Sequence, residues 1–191
     1  MTGKELYTTV SQMGFARTLD ENEPYFYRAA NLSLSRITRR FPLLSSCPLP
    51  YVDGRHTAKY EMDDLVSDFV SFPREPLFLD GVPLTEGRHF RIEDGCIYLA
   101  RDVVGVPTVR YFRRARPITP DEAEEEIDIP PYAESLLPTL TASYLWLDDR
   151  GELATHYLAL YRTEAEELAR ALNRHGGARV ISRNGWEKGY E

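Results

Sequence analysis

Residues 143–161 read SYLWLDDRGELATHYLALY, and this stretch decides how the second half of the chain folds. It joins two helical patterns through a short polar corner. Asp149 stands three residues before Glu152, which is the spacing of a capping box, where one acid accepts from the new helix and the other reaches back. We predict that Asp149 and Glu152 form a structural cap that starts a helix, and that the pair Asp148-Asp149 is not a catalytic site.

The segments on either side of this corner have the periodicity of a helical hairpin. From Tyr132 to Leu147, and again after the corner, apolar residues recur at steps of three and four. These apolar positions are Leu136, Leu140, Tyr144 and Leu147, then Ala154, Leu158, Tyr161, Ala165, Leu168 and Leu172. The pattern predicts two helices packed along a common seam.

Two further helices are predicted near the N-terminus. Thr2 can cap the first, and Gly14 suits a left-handed stop. The second is expected to start near Glu21, because Pro24 is tolerated only in a first turn, and to end at Pro42. Since both helices are short of partners, the economical arrangement packs them with the C-terminal hairpin.

The segment between these helices is predicted to be strands and tight turns. Asp80-Gly81 and Asp94-Gly95 each separate two apolar runs, and Asp-Gly accepts the positive φ that hairpin turns require. A strand is expected at 108–112, and 59–72 should supply one or two more. Five or six short strands without intervening helices predict a small antiparallel β-sandwich or barrel.

These segments together predict an α+β fold: a helical bundle formed by the N- and C-terminal helices, an inserted small antiparallel β-sandwich or barrel, and an extended C-terminal tail. The predicted boundaries are 1–46 with 118–175 for the bundle, 47–117 for the insert and 176–191 for the tail. The tail carries Trp186 and Tyr190, which so short a segment cannot bury by itself.

Charge makes one class of function improbable. The chain has 23 basic and 30 acidic side chains and a net charge of −7, which disfavours a nucleic-acid binder that works by neutralising phosphates. Local basic groups occur at Arg36, Arg39 and Arg40 and again at Arg110, Arg113, Arg114 and Arg116. We interpret both groups as solvated faces.

Membrane, secretory and metal-binding patterns are also missing from the sequence. No window approaches the run of about 18 apolar residues that a membrane span needs, and the polar N-terminus is unlike a signal peptide. Cys47 and Cys96 follow no metal-ligand spacing, and we interpret both as packing residues.

Catalytic patterns are equally absent. The chain holds no Gly-rich phosphate loop, no GxSxG and no HExxH. The acidic pair Asp63-Asp64 would need a distant partner to do acid–base chemistry, and the four histidines, His56, His89, His156 and His175, are scattered. We therefore assign no catalytic residue, no metal ligand and no cofactor.

Aromatic residues in the strand region leave a binding alternative open. Phe90, Tyr98, Tyr111 and Phe112 could form a platform for carbohydrate. Aromatics that alternate along strands more often pack into the core on one face and are scattered on the other.

The hairpin sequence LLPxLxASYLWLDDRGELAxHYLALY, preceded by a strand-rich block that contains DLVSDFVSF, resembles the head-to-tail connector proteins of tailed phages, also called adaptors. The similarity follows the chain in order through YFYRAANLSLSRI, the β insert, IDIPPYAESLLP and the hairpin. It is closest to adaptors that carry an added β domain, such as the tail tubular proteins of podophages.

This resemblance implies a non-enzymatic virion protein. Such adaptors form a ring, typically of twelve subunits, beneath the portal; they extend the DNA channel and contact the next tail component, with DNA only as cargo. The protein would occupy the host cytoplasm during assembly and the head–tail interface of the virion afterwards, without a membrane or cofactor. An alternative is a phage tail or baseplate component whose β domain binds a host glycan.

The resemblance also implies which segment binds the portal. In these adaptors the C-terminal segment commonly docks onto the portal, and here that segment is 178–191. The residues expected to make this contact are Arg179, Arg183, Trp186 and Tyr190. Aromatic side chains on a segment that orders upon binding are the usual anchors of such an interface.

Overall fold

A computed structural model describes residues 1–15, 23–147 and 149–174. It combines α-helices with antiparallel sheets, which confirms the α+β class. The chain divides into two compact units. The helical unit comprises Met1–Pro42 and the chain from Ala115 onward, and the sheet unit comprises Leu43–Arg114. The sheet unit thus begins and ends a few residues earlier than the insert predicted from the sequence.

The first helix, α1 (Gly3–Val10), begins with the cap that the sequence indicates. The Glu5 N–H donates to Thr2 Oγ1 at 3.2 Å, and the Thr2 N–H donates to Glu5 Oε2 at 2.9 Å, so both halves of a capping box are present. A π-helical turn, Ser11–Phe15, follows, and Gly14 within it has a φ of 111°. The left-handed stop predicted at Gly14 is confirmed.

Helix α2 (Glu23–Arg40) carries Pro24 in its first turn and ends two residues before Pro42. The start predicted near Glu21 lies outside the described residues. One side of α2 is buried, including Phe26, Ala30 and Ile37 at 0% exposure. These residues repeat at helical spacing, so they lie on one side of α2, and that side packs into the core of the helical unit.

The C-terminal hairpin consists of α4 (Leu136–Leu145) and α5 (Gly151–Arg174), and the short helix α3 (Met62–Leu65) lies in the sheet unit. The prediction of a helix from Tyr132 was wrong. Pro131–Ala133 is a separate 3₁₀ turn, and α4 begins only at Leu136. Pro138 explains this start, since proline has no N–H and its ring clashes with the carbonyl four residues earlier, so it must lie in a first turn.

Helix α4 is buried on nearly all sides and packs against both α2 and α5. On α5, the buried positions Ala154, Tyr161 and Ala165 belong to the predicted seam, and Leu158, Leu168 and Leu172 pack partly buried against the same core. The helical seam predicted after the corner is therefore confirmed.

The sheet unit holds ten short strands. They are β1 (Leu43–Pro48), β2 (Val52–Asp53), β3 (Ala58–Glu61), β4 (Phe69–Ser71), β5 (Leu77–Leu79), β6 (Val82–Pro83), β7 (Phe90–Glu93), β8 (Cys96–Leu99), β9 (Val104–Gly105) and β10 (Thr108–Arg113). The prediction of five or six strands without a helix was wrong, because two-residue strands carry no alternation to detect and α3 occupies one turn. A sandwich or barrel stays a prediction.

All strand pairs are antiparallel. The strands form a five-stranded sheet in the order β1-β10-β5-β6, with β4 also on β10, a three-stranded sheet β3-β8-β7 and the pair β2-β9. Both predicted hairpins are confirmed: Asp80 and Gly81 have φ of 50° and 80°, and Asp94 and Gly95 have φ of 50° and 77°. Residues from all three sheets meet in one apolar core.

Candidate functional surfaces

None of the described helices is long and apolar enough to cross a membrane. Across residues 1–15, 23–147 and 149–174, no three His, Cys, Asp or Glu side chains group in a way that could hold a metal ion. His56 and His156 are exposed, and His89 Nδ1 accepts from the Thr85 N–H at 2.9 Å within its own loop. His175 lies outside the described residues.

The acidic pairs do not converge on a pocket in the part of the chain that is described. Asp63 and Asp64 are exposed in the first turn of α3, Asp149 is exposed, and Asp148 lies outside the described residues. The first bond of α5 runs from the Ala154 N–H to the Arg150 carbonyl at 3.1 Å.

That bond makes Arg150 the N-cap of α5, one residue beyond the position assigned to Asp149. Glu152 is exposed in the first turn. Because helix ends vary by a residue, the cap formed by Asp149 and Glu152 stays a prediction.

The residues predicted to bind a portal, namely Arg179, Arg183, Trp186 and Tyr190, all lie outside the described residues. Their proposed contacts therefore stay a prediction from the sequence.

The four aromatics of the carbohydrate alternative do not share an exposed surface. Phe90 and Tyr111 are each only 4% exposed and belong to the core of the sheet unit. The Tyr111 hydroxyl lies 3.2 Å from Asp68 Oδ1, and the Arg91 guanidinium covers the Tyr98 ring at 4.8 Å from its centroid. The four residues therefore form no common platform, because two of them lie in the core, as the alternation along the strands favoured.

A cleft in the helical unit is lined by Arg116 and by several acidic residues, two of which accept hydrogen bonds from Arg116. The Arg116 guanidinium donates to Glu125 Oε2 at 3.2 Å, and the Arg116 backbone N–H donates to Asp128 Oδ2 at 3.0 Å. Ile118 closes the cleft with its backbone, whose N–H donates to Asn31 Oδ1 at 2.7 Å. These bonds hold Arg116 against the acidic segment and tie Ile118 to α2.

The side of α2 opposite its buried stripe forms a basic surface with apolar residues at its centre. We call it the α2 outer face, and it consists of Tyr25, Arg28, Leu32, Ser35 and Arg39, all exposed. Tyr25 is 64% and Leu32 51% exposed. Between Pro24 and Arg40 the sequence holds no Asp or Glu.

The corresponding side of α5 has the opposite charge. We call it the α5 outer face, and it consists of His156, Leu160, Thr163, Glu164 and Glu167, all exposed. Leu160 is 40% exposed. Arg170 is also exposed on this side, and it is paired with Glu166 at 3.3 Å.

Helix α4 determines how these two faces are oriented. Because α2 and α5 both pack their buried stripes against α4, each outer face points away from α4 and the two do not face each other. Arg36, between them, donates to the Tyr144 hydroxyl at 3.2 Å and lies over the Tyr161 ring. Burial raises the pKa of the Tyr161 phenol, although Arg36 and Arg40 act in the opposite direction.

Sequence reasoning missed the two outer faces as a candidate site. Their signal was present, since α2 lacks acids after its first residue and glutamates recur on α5. A charged face on one helix is ordinarily only solvated, and the opposed pair becomes visible once both helices are placed on α4.

No protein-family model and no curated protein matches the chain. The class supported by the fold is thus a two-unit α+β protein with oppositely charged helix surfaces. The likeness to connector proteins rests on the sequence segments quoted above.

Proposed function

We propose that the protein is a non-enzymatic structural component of a tailed phage, a connector whose copies form a ring between the portal and the tail. The ring extends the channel through which DNA passes. The partners of each subunit are its neighbouring copies, the portal protein and the next tail component. The protein acts at the head–tail interface of the virion after assembly in the host cytoplasm.

One observation carries this proposal: the helical unit presents two exposed surfaces of opposite charge on different helices. A ring requires two distinct patches on each subunit, because its contacts run head to tail. The order of helices, sheet insert and helical hairpin supports the same reading, since it is the order in which the resemblance to connectors runs. The net charge of −7 suits a conduit, because a protein that attracted DNA strongly would slow its passage.

The direct test incubates the purified protein with the portal protein of the same phage and images the mixture by negative-stain electron microscopy. We expect a ring stacked on one end of the portal. A mixture in which the two proteins stay separate, at concentrations where each is soluble, would contradict the proposal.

The portal contact is tested by removing residues 178–191. We expect portal binding to be lost while the helical circular-dichroism signal remains, because α1, α2, α4 and α5 all precede the deletion. A narrower variant changes Trp186→Ala and Tyr190→Ala, and its control changes two exposed arginines of the sheet unit, Arg74→Ala and Arg88→Ala. Portal binding that survives the deletion would refute the role of the tail.

The glycan-binding alternative receives no such support. Two of its four aromatic residues, Phe90 and Tyr111, are buried in the core of the sheet unit. We therefore do not propose it.

A further inference from the structure

The charges on the two outer faces have no partners within the part of the chain that the structure describes. Arg28 and Arg39 form no ion pair there, and neither do Glu164 and Glu167. Each face also exposes a leucine, Leu32 on α2 and Leu160 on α5. An isolated exposed leucine is ordinary, but a leucine whose unpaired neighbouring charges all have one sign resembles an interface centre with a polar rim.

The charges lie within two helical turns of the central leucine on both faces. Arg28 stands four residues before Leu32 and Arg39 stands seven residues after it, whereas Glu164 and Glu167 stand four and seven residues after Leu160. With a helical rise of about 1.5 Å per residue, the charges stand about 6 Å and about 10 Å along the axis from each leucine. With the leucines opposed, antiparallel helices bring Arg28 level with Glu164, and parallel helices bring Arg39 level with Glu167. Either orientation buries the leucines against each other and pairs one arginine with one glutamate.

We propose that the α2 outer face of one subunit packs against the α5 outer face of a second copy of this chain. The faces of one chain cannot meet, because each points away from α4, so their complementarity is satisfied between chains. Such a contact joins two different surfaces and leaves one of each free at the ends, so it propagates from copy to copy and forms a ring where the rotation between copies closes. This inference rests on the proposed function, since it identifies the subunit contact of the ring.

The physical roles within the contact differ. The leucines supply the apolar area that is removed from water, while the arginines and glutamates favour the correct partner and speed its encounter. Because the charges lie at a solvated rim, added salt should weaken the assembly by screening them.

Charge reversal tests the pairing. In one variant Arg28→Glu and Arg39→Glu make both faces acidic; in the other Glu164→Arg and Glu167→Arg make both basic. We expect each variant alone to lose self-association by about a hundredfold or more, because like charges then meet at every contact. Mixed in equal amounts, the two variants should assemble again, because the acidic faces of one variant then meet the basic faces of the other.

The measurement is sedimentation velocity over a concentration series, with circular dichroism to show that each variant is folded. The matched control, Arg74→Glu with Arg88→Glu, makes the same charge change in the sheet unit and should assemble like the unaltered chain. An unaltered chain that stays monomeric at its highest soluble concentration overturns the inference, and so does a mixture that fails to assemble.

The outcomes also separate this inference from the proposed function. Assembly that responds to charge reversal but never stacks on the portal supports the subunit contact and contradicts the connector role. Stacked rings that ignore charge reversal support the connector role and overturn the contact. Binding of duplex DNA that is lost in the Arg28→Glu, Arg39→Glu variant, with no self-association, would assign the α2 outer face to nucleic acid and overturn the inference.

Discussion

The sheet unit is made from one continuous segment, Leu43–Arg114, whereas the helical unit needs both ends of the chain. Strands β1 and β10 pair with Leu43 opposite Arg113, so the segment enters and leaves the sheet unit at neighbouring points. Because the two ends of the sheet unit lie next to each other, the two segments of the helical unit can pack together around a separate core. The two units have separate apolar cores, so they can be tested for separate unfolding.

Each unit contains its own probe of unfolding. Trp146 packs partly buried against the helical core, and a Trp186→Phe background leaves it as the only tryptophan. Cys47 is half-buried in the sheet unit, where burial raises the pKa of its thiol and Asp68 adds to this effect. A raised thiol pKa slows alkylation, so labelling of Cys47 in a Cys96→Ser background reports opening of the sheet unit.

The largest effect is expected from Phe26→Ala, which removes a ring that is 0% exposed from the helical core. We expect the free energy of unfolding, measured by Trp146 fluorescence in urea, to fall by about 3–5 kcal/mol. The urea dependence of Cys47 labelling should stay unchanged. A shift of equal size in both probes would show that the two units unfold as one.

The converse variant is Leu77→Ala, which removes a fully buried side chain from the core of the sheet unit. Cys47 labelling should then begin at lower urea, with a loss of about 2–5 kcal/mol. The Trp146 transition should keep its midpoint. If fluorescence moves and labelling does not, the assignment of Leu77 to a separate core is wrong.

A smaller effect comes from one substitution made in both units. Gly95→Ala forces a side chain into a φ of 77°, which should cost about 1–2 kcal/mol, although nothing lies within 4 Å of the new Cβ. Gly151→Ala, at the start of α5, also meets nothing within 4 Å and should stabilise the helical unit by about 0.4–1 kcal/mol. Urea unfolding followed by both probes measures the change in the free energy of unfolding for each variant. Changes of the same sign in the two variants would contradict this expectation.

The smallest effect at neutral pH is expected from Tyr161→Phe, which keeps the buried ring and removes its hydroxyl. Burial raises the pKa of Tyr161 in the folded protein above its ordinary value of 10.0. The folded state therefore holds this proton more tightly, so the stability it contributes is complete below pH 10 and is lost as pH rises through the folded pKa. Above pH 10 the free energy of unfolding, measured by fluorescence, should fall less steeply with pH in Tyr161→Phe than in the parent. Identical slopes of this free energy against pH would argue against the explanation.

Local features of the fold were predictable because they depend on a few neighbouring residues. Thr2 and Glu5 satisfy each other's backbone across one turn, and each Asp-Gly pair accepts a conformation that other residues resist. The start of α4 was missed although its signal, Pro138, was in view, since apolar periodicity outweighed it. The candidate surfaces were missed for another reason, because a charged helix face has no meaning until its neighbours are known.

The sequence by itself determined the α+β class, the Thr2 cap, the two hairpin turns, and which residues repeat at helical spacing, because these follow from local backbone conformation and periodicity. Only the tertiary structure decided that Phe90 and Tyr111 lie inside the sheet unit, and that the α2 and α5 outer faces point away from α4. Burial depends on which elements pack together, and periodicity carries no information on the identity of the partner.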